Sequence, residues 1–197
     1  MAPKNRKFGI QFNTGDDIAD LLLMLQQAIT KAGSIEKFFL QFYDDADENI
    51  ISALSRFCKT LLQMKSGELS QGLKFLLAGP NLGGAAKRLN MFLRWMVRND
   101  DVDAGLWRSI DKSKLIVPVD VHIGRLTRIL GFHNHKNVSL KTAIEITRRF
   151  AEIEPADPVK YDFSLSRIGI VENCTGKRRT ECGICELFSI CQKRADW

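Results

Sequence analysis

Residues 73–98 read LKFLLAGPNLGGAAKRLNMFLRWMVR. Both flanks carry apolar residues at helical spacing, and neither alternates as a half-buried strand would. Between them, residues 78–84 (AGPNLGG) hold one proline and three glycines, the densest set of helix breakers in the chain. The stretch predicts a short helix over 70–77, a tight turn, and a strong helix over 85–98. Such a turn presents backbone N–H groups at the start of the second helix, where the helix-end partial charge favours an anion. Gly79, Asn81, Gly83 and Gly84 are its candidate phosphate contacts, and Arg88, beside Lys87, supplies a cation one turn further on. An ordinary helix–helix corner with solvated basic residues accounts for the same pattern without a ligand.

Helical patterning continues on both sides. Thr14 and Asp16 are placed to cap a helix over 17–31, which Gly33 ends, and Ser34 caps another over 35–43. The acidic turn at 44–48 leads into an amphipathic helix over 49–64. Cys58 on that helix reads as a core thiol rather than a ligand. Further on, the pattern predicts helices over 104–110, 121–130, 139–150 (capped by Ser139) and 161–169. There is no convincing alternating strand, repeat or low-complexity tract, so the expected class is all-α. The expected layout is a flexible lead-in over 1–15, a helical domain over 16–170 containing the 73–98 hairpin, and a four-cysteine loop with a tail over 171–197.

With 197 residues, 45% of them apolar, the chain is long enough to bury a substantial core. No apolar run approaches the roughly 20 residues of a membrane span, and the short basic leader does not read as a signal segment. A soluble, cytoplasmic monomer is the expectation. The net charge of +6 is compatible with a polyanionic partner and does not require one.

Two further stretches carry chemistry. Residues 116–131 read IVPVDVHIGRLTRILG. Asp120 stands at the mouth of a helix that is apolar on one face, and Asp is a preferred N-cap. A cap uses one carboxylate oxygen and can leave the other free. His122 reads as a structural hydrogen-bonder. Arg125 and Arg128, three residues apart, share a face and are suited to phosphates or to salt bridges. Residues 174–191 read CTGKRRTECGICELFSIC, with Cys174, Cys182, Cys185 and Cys191 spaced C-x7-C-x2-C-x5-C. Four thiols in one run, in a chain with only one other cysteine, point to a soft metal rather than to disulfides. Zinc sites usually pair two short knuckles, and here there is one. The irregular loop suits a bulky 4Fe–4S cluster, with zinc as the alternative.

Taken together, the hairpin, the helix with V-D-x-H-x-x-R-L and the closing cysteine run resemble the endonuclease III-like helix-hairpin-helix DNA glycosylases. The chain is most similar to an uncharacterised bacterial branch of that superfamily, through KRLNMFLRWMVR (87–98), PVDVH (118–122) and PVKYDF (158–163). The resemblance runs from about Gly33 to Cys191. It implies a helical fold that binds damaged double-stranded DNA through the hairpin and flips the target base into a pocket. It implies that Asp120 stabilises the oxocarbenium-like sugar as the base leaves. It makes Lys87 the candidate nucleophile of a bifunctional enzyme with abasic-site lyase activity; without a lysine there, water is the nucleophile. It assigns the four cysteines to a structural 4Fe–4S cluster, and Lys177, Arg178 and Arg179 to the DNA backbone. Two departures accompany it: residues 99–115 look like an insertion, and the region before the hairpin is short, as in an N-terminally abbreviated member working near the nucleoid. The competing expectation is a non-catalytic iron–sulfur DNA-binding protein that kept the glycosylase fold.

Overall fold

The computed structural model describes residues 13–193. Most of the expected 1–15 lead-in and the last four residues of the tail lie outside that range. The fold is helical throughout. Among the described residues no sheet forms, and Asn99 and Ala104 make one isolated antiparallel bridge. Two compact units divide between Leu82 and Gly83, inside the turn of the 73–98 hairpin.

The first unit holds α1 (Gly15–Ala32), α2 (Ile35–Leu40), α3 (Ile51–Gln63), α4 (Gln71–Leu76) and a 3-10 turn (Pro80–Leu82). Thr14 caps α1 in a capping box with Asp17, and Gly33 closes that helix at φ 88°, a left-handed conformation that glycine adopts without strain. Ser34 caps α2 and Ser70 caps α4 through their hydroxyls. Phe38, Phe39 and Phe57 form the centre of this unit, with ring centroids 5.3–5.8 Å apart for Phe39–Phe57 and Phe38–Phe57. Each such side chain contributes about 1.5–3 kcal/mol by leaving water. Cys58 is buried beside them, and burial pushes its thiol up to about 12, which makes it an inert core group. Asp17 joins two helix starts. It bonds Thr14 at the head of α1 and accepts from the Ser70 hydroxyl at the head of α4. The Ser70 bond is the main reason its carboxyl is held below the usual range.

The second unit holds α5 (Lys87–Val97), α6 (Val121–Ile129), α7 (Leu140–Ile153), α8 (Asp162–Ile170) and short 3-10 turns at Lys112–Lys114, Thr180–Ile184 and Phe188–Ile190. Residues 115–119 run extended through its core, fully or almost fully buried, and the Val117 N–H is satisfied by the Thr147 hydroxyl of α7 at 3.0 Å. Helices α6 and α8 pack closely. Gly169 makes this possible, because a Cβ there would lie 2.7 Å from the Cβ of His122. The helix expected over 104–110 is absent. The Ala104 and Gly105 amides donate instead to Trp95 O, at 3.0 and 3.1 Å, and Trp107 N–H donates to Met96 O at 2.7 Å. The end of α5 thus takes up the donors that a new helix would have used. Gly105, at φ 58° and tight against Asn99, fixes that turn-back.

Candidate functional site

Asp120 and Lys87 meet in the second unit. Asp120 is the N-cap of α6, in extended backbone. Its Oδ1 accepts from the His122 amide at 2.9 Å and from the Ile123 amide at 2.8 Å. Its Oδ2 is left over and lies 3.5 Å from Lys87 Nζ. The lysine side chain is 42% exposed and the carboxylate 17% exposed, so the pair sits at the surface with its acid half sheltered.

Lys87 owes its position to the turn before it. It is the first residue of α5, following Ala86 at φ 45°, ψ 39°. A non-glycine residue in the left-handed region costs on the order of 1 kcal/mol and persists only when its surroundings hold it there. Asn90, almost fully buried, supplies part of that hold by donating from Nδ2 to Ala85 O at 2.9 Å. The Leu140 amide at the head of α7 donates to Gly83 O at 3.0 Å. The turn is therefore tied down both from α5 and from α7.

The other turn residues divide. Gly83 and Gly84 are exposed in the second unit, and a side chain at either would meet nothing within 4 Å. Asn81 is exposed in the first unit. Gly79, expected as a phosphate contact, is buried in the first unit, where a Cβ would meet Asn81 and Cys58. Arg88 is exposed on α5. Arg125, expected as a phosphate contact, points to its own helix. Its Nη2 lies 3.2 Å from His122 Nδ1, and its Nε is buried without a hydrogen-bond partner.

The four expected metal ligands come together. Cys174, Cys182, Cys185 and Cys191 line one apolar cavity with Leu126, Ile129, Ile168 and Phe188. None is in a disulfide. The Cys185 thiol is pushed up, first by burial and further by the proximity of Cys174 and Cys182. Among the described residues, no three histidine, cysteine or acidic side chains converge tightly enough to hold a single metal ion.

Cys174, Cys182 and Cys185 also border a second, outward cavity of about 440 Å³, which Lys177 and Arg179 line. Lys177 and Arg178 are exposed. Arg179 is partly committed to the loop itself, donating to Glu172 O and lying 3.6 Å from the Glu181 carboxylate.

One polar feature was not among the sequence expectations. Arg94 and Arg98 of α5 are buried with Asp103, Asp157 and Asp162. Arg94 pairs with Asp103 at 3.0 Å and with Asp162, and Arg98 pairs with Asp157 at 3.0 Å and with Asp103. At the rim, Asp100 also pairs with Arg98 at 2.8 Å and Lys112 lies 3.7 Å from Asp157. Burial pushes Asp162 up to about 6 even though Arg94 draws it down. The signal in the sequence is the position of Arg94 and Arg98, four apart on the helix face that also carries Leu93 and Val97. A charge on an apolar face calls for a buried partner.

No helix among the described residues is long and apolar enough to cross a membrane. No curated protein and no solved structure matches the chain. One family model matches residues 2–171, a span that includes Lys87, Asp120 and the buried Arg–Asp network and stops short of the cysteine run. That span covers most of the chain, which therefore belongs to the family described as "Protein of unknown function (DUF2400)".

Proposed function

We propose that this protein is a DNA glycosylase of the endonuclease III-like kind, with Asp120 and Lys87 as its reacting pair and a 4Fe–4S cluster held by Cys174, Cys182, Cys185 and Cys191. The observation that carries the reading is the 3.5 Å approach of Lys87 Nζ to the one Asp120 oxygen that the helix cap leaves unused. Two residues 33 positions apart in sequence, each at the first turn of its own helix, meet at a partly open surface. A purely structural cap does not call for a lysine there.

The chemistry follows from the atoms. With a flipped nucleotide seated at the pair, the glycosidic C1′–N bond breaks and its electron pair leaves with the base, which takes up a proton. The Asp120 carboxylate stabilises the cationic sugar as it forms, in a site partly shielded from water. Lys87 Nζ sheds one proton to Asp120 Oδ2, which passes it to the departing base, and Nζ forms the new bond to C1′. A second proton then moves from Nζ to O4′ as the C1′–O4′ bond breaks, and the ring-opened sugar is left as a protonated imine. The 3.5 Å separation puts Asp120 Oδ2 within reach of the proton that the amine must shed before it attacks. Gly83, Gly84, Arg88 and Lys177, all exposed, are the residues this reading assigns to DNA phosphates. The cluster, when bound, supplies a staple across four thiolates and is not a reactant. Four cysteines lining one apolar cavity are the donor set that a 4Fe–4S cluster takes.

The test uses full-length, anaerobically purified protein. It is incubated with duplexes that each carry one oxidised, alkylated, deaminated or mismatched base, and with an abasic-site duplex in the presence of borohydride. The expected result is release of at least one base type and a covalent adduct with the abasic duplex that Lys87→Ala abolishes. An adduct that persists in Lys87→Ala removes the lysine assignment. Duplex binding without release of any base removes the glycosylase reading and leaves a DNA-binding module.

A further inference from the structure

Asp120 and the cysteine loop are joined by a short chain of contacts that runs through His122 and the end of α8. Asp120 Oδ1 accepts from the His122 amide, and the His122 side chain then reaches the neighbouring helix, with Nδ1 lying 3.0 Å from Gly169 O. A carbonyl can only accept, so Nδ1 carries the proton, and Arg125 Nη2 at 3.2 Å cannot donate to the same atom. The preceding carbonyl, Ile168 O, accepts from the Cys174 amide at 3.3 Å. Two adjacent carbonyls in the last turn of α8 therefore serve two different masters. One binds the residue that carries the Asp120 cap, and the other binds the first cysteine. Helix-terminal carbonyls have no partner within their own helix, which is why they are available for this use.

The other end of α6 is held by the same loop. A Cβ on Gly176 would lie 2.7 Å from Ile129 Cδ1, and one on Gly131 would lie 2.1 Å from Gln192 Nε2. The cysteine loop thus packs against the C-terminal end of α6 and, through α8 and His122, holds its N-terminal end.

We propose that His122 is a positioning residue that couples occupancy of the four-cysteine loop to the geometry of the Asp120 carboxylate. The inference rests on the cluster reading given above. A cluster binds only the ordered loop, so it favours the arrangement in which Cys174 and His122 share the end of α8. Loss of the cluster releases Cys174, loosens that last turn and frees Asp120 from its cap geometry. Coupling of this kind is reciprocal: whatever factor the cluster adds to cap order, the His122 bond adds to cluster retention.

The experiment needs no DNA. Amide hydrogen exchange at His122 and Ile123, the two N–H groups that Asp120 caps, is measured in cluster-loaded protein and after the cluster is stripped by chelator and oxidant. Loss of the chromophore at roughly 400 nm follows cluster release in the same samples. In wild type, stripping speeds exchange at the two amides by about tenfold, the worth of one net hydrogen bond. His122→Leu exchanges fast whether loaded or stripped, and it releases its cluster about tenfold faster. His122→Asn, whose Nδ2 stands near the position of Nδ1, restores both readouts. Gly169→Ala favours an isolated helix yet forces α6 from α8, so it behaves as His122→Leu does. Wild type and His122→Leu with equal exchange and equal cluster release would overturn the coupling. A preparation that never acquires the chromophore would sink the cluster reading, and the coupling with it. Failure to release any base from DNA touches neither readout.

Discussion

Asp120 is claimed for two tasks, and two substitutions separate them. Its Oδ1 satisfies two orphan amides of α6, and its Oδ2 faces Lys87. Asp120→Ala removes the cap, which costs about 1–2 kcal/mol. It also removes a charge at the helix N-terminus, for about 0.3–1 kcal/mol more. The half-exposed pair with Lys87 adds 1 kcal/mol or less, roughly. The alanine variant is therefore expected to lose about 2–3 kcal/mol by urea unfolding. Asp120→Asn keeps an amide oxygen where Oδ1 was and caps nearly as well as aspartate, so only the charge contributions are lost, about 1 kcal/mol. Chemistry reverses the ranking of the two variants as cases of interest. The asparagine protein stays folded and binds duplex, yet its single-turnover base release falls by about 100-fold or more, because no charge opposes the developing cation. The assay pairs urea unfolding with single-turnover release on whichever duplex the wild type cleaves. Wild-type release rates in Asp120→Asn would refute the reasoning and leave Asp120 as a cap alone.

Three further outcomes are expected. Ala86→Gly relieves the left-handed backbone ahead of Lys87 and raises stability by about 0.5–1 kcal/mol; a loss of stability would mean that the turn needs the methyl group. Asp162 has a folded pKa of about 6, raised above its unfolded value, so its contribution is complete below about pH 4 and is lost as pH rises through 6. That loss amounts to about 3 kcal/mol. The stability of wild type relative to Asp162→Asn is expected to fall by up to that amount between pH 4 and pH 7 in denaturant titrations, and parallel profiles would contradict it. Lys177→Ala is expected to weaken duplex binding evenly across sequences and to lower the slope of log affinity against log salt by about 1. An unchanged slope would take the cysteine loop off the DNA.

The local grammar of the helices was readable from the sequence, because capping is local chemistry. Thr14, Ser34, Ser70, Asp120 and Ser139 each sit where the pattern placed a helix start, and each side chain accepts from an amide of the first turn. What failed was competition between segments. Residues 104–110 have the composition of a helix, but their amides find carbonyls at the end of α5, a partner no local window contains. The Arg94–Asp162 and Arg98–Asp157 pairs span 68 and 59 positions and were hidden for the same reason. At the site, cap geometry and a spare oxygen on Asp120 follow from Asp at a helix mouth. Its approach to Lys87 depends on how α5 and α6 pack, which residue types alone do not specify. Gly79 packs against Asn81 and Cys58, a use of glycine that a breaker cluster does not distinguish from its use in a turn.

The divided duty of Asp120 has a bearing on how the relatives of this chain should be read. An acid whose first oxygen closes a helix is kept by selection for folding even in a lineage that has stopped doing chemistry. Its persistence across a set of homologous sequences would therefore say little about which of them are working enzymes. Asparagine at the same position is the informative substitution: it retains the closure and discards the charge, and a chain that carries it has marked itself as retired.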